Sequence, residues 1–349
     1  MHSVMIRVIN LDWLTIHCKG VLFRTPTYGY LMNKQAYGTS YFKELWEVVD
    51  KEENDMLAKL QADPYSPIIP KDTVLIQYAN RYLYRDDLHY KINDSMLALN
   101  LAPKNFSRID IACDFNFFAC GLNPMYLIKG FMQNKYIKRG VKKYALEGEQ
   151  HLTEHAYQYI RFGKRSAGVC MYLYNKSLEL DEKQNKEYIR EAWREAGLRT
   201  DIPVWRMEFS VDPTQLDFSK KETGEVFDID IQKKITQGML ENVFDALVEK
   251  YADFRINDNS NRPERMKRLQ LFPENCKTTL RISKKINTAN AGRMDKIMIN
   301  KLMNDIEEFR IDPGDDLDHQ ILQEAAEVYA RRKGLQQYLM MRTKLPYKR

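Results

Sequence analysis

The sequence predicts an α+β fold with antiparallel or mixed β-sheets flanked by helices, ending in a helical C-terminal part. Three observations lead there. Segments rich in β-branched and aromatic residues, several alternating apolar with polar, fill much of the first two thirds. Helical periodicity lies between and after them, without the regular βαβ repeat that builds a parallel sheet. The 349 residues, 44% of them hydrophobic, suffice for one large or two ordinary domains.

Ile6 to Phe23 alternates around Asp12 and Trp13 and reads as a strand. Tyr41 to Leu60 spaces Leu45, Val48, Val49, Met56 and Leu60 in a helical manner, so a helix is expected there. Thr73 to Tyr84 and Ser107 to Phe118 read as strands, and Asn123 stands where a helix over Pro124 to Asn134 would be capped. Tyr157 to Phe162 and Gly168 to Asn175 read as two strands joined by a turn at Gly163 to Ala167. A charged helix is expected over Asp181 to Ala196, and Val204 to Val211 reads as another strand. A long amphipathic helix follows over Ile231 to Tyr251, then a polar hinge, Asn257 to Pro263. Arg265 to Phe272 and Thr278 to Ile282 are expected to be a last strand pair. Helices over Ala291 to Phe309 and Leu317 to Arg332 finish the chain. The expected division is 1–285, with its core motifs in 105–212, and a basic helical region 286–349.

Lys and Arg number 54 against 48 Asp and Glu, a net charge of +6. That is modest, but it is segregated. Lys129 to Lys143 holds six basic residues and no acid, Arg262 to Lys301 eleven against three acids, and Arg331 to Arg349 seven and none. Basic runs with interleaved tyrosines suit a phosphate backbone with bases stacked alongside. No apolar run approaches the roughly 18 residues of a membrane helix. Residues 1 to 20 carry Arg7, Asp12 and His17 where a signal peptide would be apolar, so a cytoplasmic protein is expected. Five scattered cysteines with no C-x-x-C pair argue against structural zinc or a disulfide scaffold.

Strand alternation places Asp110 and Asp114 on one face and Ile109, Ile111 and Cys113 on the other. Carboxylates on an apolar strand must be paired, hydrogen-bonded or metal-bound. Four positions span about 13 Å of straight strand, so one can ligate a cation while the other is a structural partner. Arg206, Glu208 and Ser210 share a face of their strand, and Glu208 is a second candidate ligand for Mg²⁺ or Mn²⁺. The plainer reading of Glu208 is an ion pair with Arg206. Tyr172, Tyr174 and Lys176 likewise share a face; a lysine and a cation near a tyrosine would favour phenolate.

RIDIACD (Arg108 to Asp114), FGKR (Phe162 to Arg165), YNKSLE (Tyr174 to Glu179) and WRMEF (Trp205 to Phe209) occur in an order and spacing that resembles the Rep_trans family. These are rolling-circle replication initiators of small plasmids and related relaxases of integrative conjugative elements. LDWLTI (Leu11 to Ile16) is in keeping with them. The resemblance implies an HUH-like nickase architecture without the His-x-His motif. It implies a sequence-specific, metal-dependent nickase forming a 5′-phosphotyrosyl intermediate. It places the nucleophile at Tyr174, with Lys176 as a base or phosphate contact, Arg206 and Glu179 matching the pattern, and acidic residues at Asp110, Asp114 and Glu208. One departure is Tyr172, where the family often has arginine; a cationic phosphate contact is then missing, or Tyr172 is a second nucleophile. Implied partners are origin DNA as single strand or extruded hairpin, a second copy of the chain and a bacterial host's helicase; no membrane is expected.

Three rivals remain at this stage: a DNA-binding protein that makes no covalent link, a metal-dependent hydrolytic nuclease, and a metal held by His151 and His155 on a helix. No histidine begins the H-x-x-R box of tyrosine recombinases, and no Walker lysine loop is present, so unwinding would fall to another protein. The C-terminal basic part, including the final helices, is expected to contribute to origin recognition.

Overall fold

The computed structural model describes residues 5–66, 69–140, 143–150, 155–164, 167–182, 186–227, 235–274, 276, 278–285, 298–299, 301–303, 305, 316–332 and 339. It divides into two compact units, Met1–Lys284 and Lys285–Arg349.

The first unit is built on β1 (Val8–Lys19), β2 (Tyr30–Lys34), β3 (Phe42–Asp50), β4 (Asp55–Pro64), β5 (Thr73–Tyr78), β6 (Ala102–Phe115), β7 (Tyr136–Lys138), β8 (Tyr144–Gln150), β9 (His155–Phe162), β10 (Val169–Asn175), β11 (Trp205–Val211), β12 (Leu216–Lys220), β13 (Phe254–Ile256) and β14 (Leu280–Lys284). Its helices are α1 (Leu88–Ala98), α2 (Pro124–Met132), α3 (Lys176–Glu182), α4 (Glu187–Glu195) and α5 (Gln237–Tyr251). Ten strands form one sheet in the order β2-β3-β4-β5-β1-β6-β11-β10-β9-β8. Every neighbouring pair is antiparallel. The α+β class with an antiparallel sheet is therefore the observed one.

The sheet separates two environments. Leu11, Leu14, Ile111, Cys113, Leu173, Met207 and Phe209 turn to one face and are buried with Leu127 of α2, Ile92 of α1 and Val243, Phe244 and Leu247 of α5. Phe244 meets Phe209 and Phe272 edge-on at 5.6 Å each; burying such a ring contributes roughly 2–3 kcal/mol. The opposite face carries the polar residues between these apolar ones. Near the start of β1 and β11 it is covered by α3 and α4, where Ile189 and Trp193 pack on Val8, Leu180, Leu198 and Val204.

The longest pairing carries three register shifts, and the first of them falls at Asp12. Leu11 faces Ile111 and Trp13 faces Asp110, so Asp12 is an extra residue in β1, a β-bulge. The bulge keeps Leu11 and Leu14, three apart in sequence, in the same core. Asn123 caps α2 as its sequence suggests, its Oδ1 accepting from Met125 N at 2.9 Å.

Several expectations are corrected. Tyr41 to Leu60 is not a helix but the hairpin β3–β4, because Phe42, Trp46, Val48 and Asp50 are buried on alternate positions. Its turn ends at Asn54, held at φ 52, a left-handed conformation asparagine tolerates. Arg265 to Phe272 is not a strand paired with Thr278 to Ile282; β14 pairs with β12, and Arg268 makes only an isolated bridge to Arg255. Thr73 to Tyr84 ends as a strand at Tyr78 and continues as a 3₁₀ turn over Asn80–Tyr84. The charged helix around 181–196 is two, α3 and α4, with 183–185 outside the described residues. Of the long helix from Ile231, residues 231–234 also lie outside, and α5 begins after Thr236, whose Oγ1 accepts from Met239 N.

In the second unit, α6 (Asp316–Arg332) and residues 298–299 and 301–303 are helical. Ile299, Met303, Ala326, Ala330 and Leu339 form its apolar cluster. The rest of the expected Ala291 to Phe309 helix lies largely outside the described residues.

Candidate active site

Register brings the polar residues of the sheet together. Tyr172 faces Glu208 and Tyr174 faces Arg206 across β10–β11. Arg206 faces Asp114 and Ser210 faces Asp110 across β11–β6. Because the intervening residues fill the core, these side chains must share the other face. Arg206, Glu208, Asp110, Asp114, Tyr172 and Tyr174 therefore lie on one surface.

Arg206 is 0% exposed and held from several sides. Its Nε donates to Asp114 Oδ1 at 2.6 Å and its Nη2 to Asp114 Oδ2 at 2.7 Å and Tyr84 Oη at 2.9 Å. Its Nη1 pairs with Asp12. Trp193 Nε1 of α4 also donates to Asp114 Oδ2 at 2.7 Å. Asp114 thus has both of its oxygens engaged by protein donors and is not an open metal ligand. Arg206 pairs with aspartates and not with Glu208, and it is sealed from solvent. A buried guanidinium left unpaired would cost about 3–5 kcal/mol, so this set of bonds is needed for the fold itself.

Asp12 was not singled out by the sequence as a site residue. The bulge aims it at Arg206, and Asn80 Nδ2 donates to its backbone oxygen at 2.6 Å and its Oδ1 at 3.2 Å. Burial opposes its ionisation, yet Arg206, Lys176 and Lys186 outweigh burial and hold its carboxyl down at about 2. The available signal was the broken alternation between Leu11 and Leu14. Tyr84 and Trp193, also missed, carry no such signal.

Tyr174 Oη donates to Glu208 Oε2 at 2.8 Å. Burial, with Asp12 and Asp110 nearby, pushes Glu208 up to about 8. Burial and the Glu208 charge raise the Tyr174 phenol well above its ordinary value, with Arg206 acting in the opposite direction. Burial likewise raises Tyr172. Tyr159 of β9 stacks near both tyrosines, 6.2 Å from Tyr172 and 6.3 Å from Tyr174. Lys176 is buried, pairs with Glu179 and lies 5.5 Å over the Tyr174 ring. It is not hydrogen-bonded to the phenol, whose acceptor is Glu208.

Asp110 is buried and paired with Arg108, with Nε to Oδ1 at 2.9 Å; Ser210 Oγ accepts from the same Nε at 3.1 Å. Burial raises the Asp110 carboxyl despite Arg108. Arg108 itself lies 4.4 Å over the Trp13 ring. A cavity of about 460 Å³ opens here, lined by Ser107, Arg108, Tyr172, Glu208, Ser210 and Gln215 among others. No group of three His, Cys, Asp or Glu side chains gathers to hold a metal among the described residues. Asp110, like Asp114, has both oxygens engaged by protein donors, in its case by Arg108, so Glu208 is the remaining acidic candidate for Mg²⁺, which keeps waters and takes phosphate oxygens.

His155 lies on β9 and not on a helix, and His151 lies outside the described residues. Of the first basic run, Lys129 lies on α2, Lys138 on β7 and Lys142 outside the described residues; the Lys138 Nζ is buried 5.0 Å over the Phe162 ring without a hydrogen-bond partner. Much of the other two runs, 286–297 and nearly all of 333–349, lies outside the described residues. No described helix is long and apolar enough to cross a membrane.

No family model matches the chain, and no curated protein matches it. Among solved structures it is similar to a rolling-circle replication initiator protein from Geobacillus stearothermophilus, with a TM-score of 0.44 and 12% identity over 76% of this chain and 93% of that one.

Proposed function

We propose that the chain is a DNA nickase of the Rep_trans type, starting rolling-circle replication or conjugative transfer through Tyr174. The observation that carries this reading is the Tyr174 to Glu208 hydrogen bond of 2.8 Å beside a polar cavity. A phenol bonded to a carboxylate of high proton affinity has a base in place for its proton. Glu208 takes that proton as Tyr174 Oη bonds to phosphorus; the phosphorus to 3′-oxygen bond breaks, and the departing oxygen takes a proton from water. The products are a 5′-phosphotyrosine and a free 3′-hydroxyl, and the phosphodiester energy is retained for rejoining. Arg206, fixed by Asp114 and Asp12, keeps positive charge beside the forming phenolate. A divalent cation, for which Glu208 is the remaining acidic ligand, would polarise the phosphate and favour the ionised phenol.

Single-stranded DNA suits this face, since Tyr159 and Tyr172 offer aromatic surface beside Tyr174. With no Walker loop in the sequence, unwinding is assigned to a separate helicase. The test is supercoiled plasmid bearing the origin of the chain's own element, incubated with Mn²⁺. Conversion to open circles that Tyr174→Phe abolishes is the expected result. Intact supercoils despite binding would favour a non-catalytic DNA-binding protein, and cut DNA released free of protein would favour a hydrolytic nuclease.

A further inference from the structure

The charges on the polar sheet face mostly cancel. Arg206 is neutralised by Asp114 and Asp12, Arg108 by Asp110, and Lys176 by Glu179. Arg161 is different. It stands on β9 directly across from Tyr172. Its neighbours Ile160 and Phe162 are buried in the core, so alternation sends Arg161 to the face of Tyr174 and Glu208. Gly163, at φ 102, lets the chain leave β9 immediately afterwards. The Arg161 Nε is sealed from solvent with no acceptor, and among the described residues no carboxylate pairs with its guanidinium. A buried guanidinium N–H without an acceptor is costly, and an anion that reaches this side chain recovers part of that cost. Lys186, also without a salt bridge, lies instead under the influence of Asp12.

We infer that Arg161 binds the scissile phosphate, supplying from β9 the cation that Tyr172 does not provide on β10. The inference rests on the nickase reading. The planar guanidinium can donate two parallel hydrogen bonds to phosphate oxygens, fixing phosphorus in line with Tyr174 Oη and meeting negative charge as it grows there. Tyr172 separates Arg161 from Glu208 in register, so the phosphate would sit between a cationic and an acidic flank.

The experiment uses the full chain, Mn²⁺ and single-stranded oligonucleotides tiling the element's origin, and measures the single-turnover rate of covalent adduct formation together with DNA affinity. Arg161→Gln is expected to slow adduct formation about 100-fold at saturating DNA while affinity changes little, since one contact among many is lost. Arg161→Lys should recover part of the rate. Adding Tyr172→Arg to Arg161→Gln should also restore rate, because position 172 is the cross-strand neighbour; a purely structural loss would not be rescued this way. Wild-type rates in Arg161→Gln overturn the inference and leave the nickase reading standing, as does an unrescued loss accompanied by a matching fall in Tm. No adduct with the wild-type chain on any oligonucleotide removes both.

Discussion

In the proposed reaction Glu208 is the proton acceptor, and it also carries a cost. Its carboxyl binds a proton more readily in the folded chain than in the unfolded one, where its ordinary value is 4.5, because burial and the charges of Asp12 and Asp110 disfavour its ionised form. That penalty is absent below the ordinary carboxylate range and reaches its full size as pH rises through about 8. Glu208→Gln should therefore raise Tm at pH 9 and leave it nearly unchanged at pH 4, while removing the acceptor for the Tyr174 proton and with it adduct formation. Thermal melts at the two pH values check this; equal shifts at both would show that the ionised form is not penalised. That Glu208, Asp110, Tyr172 and Tyr174 share a surface was legible from two-residue alternation alone. The partners that take up Asp114 were not, because Trp193 and Arg206 arrive from elements remote in sequence.

The elements that carry the site were the easiest to read. β6, β10 and β11 have long runs of β-branched and aromatic residues bounded by turn residues, and α2 has its asparagine cap. The β3–β4 hairpin looks helical in the sequence because Leu45, Val48, Val49, Met56 and Leu60 follow helical spacing, whereas the burial of Trp46 and Val48 on alternate positions has the two-residue period of a strand. Arg265 to Phe272 was read as a strand although its backbone mostly bonds elsewhere; Leu271 and Phe272 are buried as loop residues under the sheet. The bulge at Asp12 is the element-scale device that matters most. Deleting Asp12 would have to flip Ile9 and Leu11 out of the core or pull Leu14 and Ile16 from it. Deletion should therefore destabilise the chain far more than Asp12→Asn, which keeps the bulge and gives up only the charge pairing with Arg206. Urea unfolding of the two variants tests this, and similar midpoints would mean that the bulge does not set the register.

At the scale of the whole molecule, one antiparallel sheet separates the work: one face closes an apolar core against α1, α2 and α5, and the other gathers ionisable residues that burial alone would not tolerate. The modest net charge of +6 says little about a partner, whereas that gathering says a great deal. The central claim is that Tyr174 is a nucleophile with Glu208 as its proton acceptor. Its most direct test is to incubate the chain with Mn²⁺ and single-stranded origin oligonucleotides, digest the covalent product and locate the nucleotide-bearing peptide by mass spectrometry. The account predicts a single adduct on Tyr174, absent in Tyr174→Phe; an adduct on Tyr172, or tight binding with no adduct at all, would contradict it.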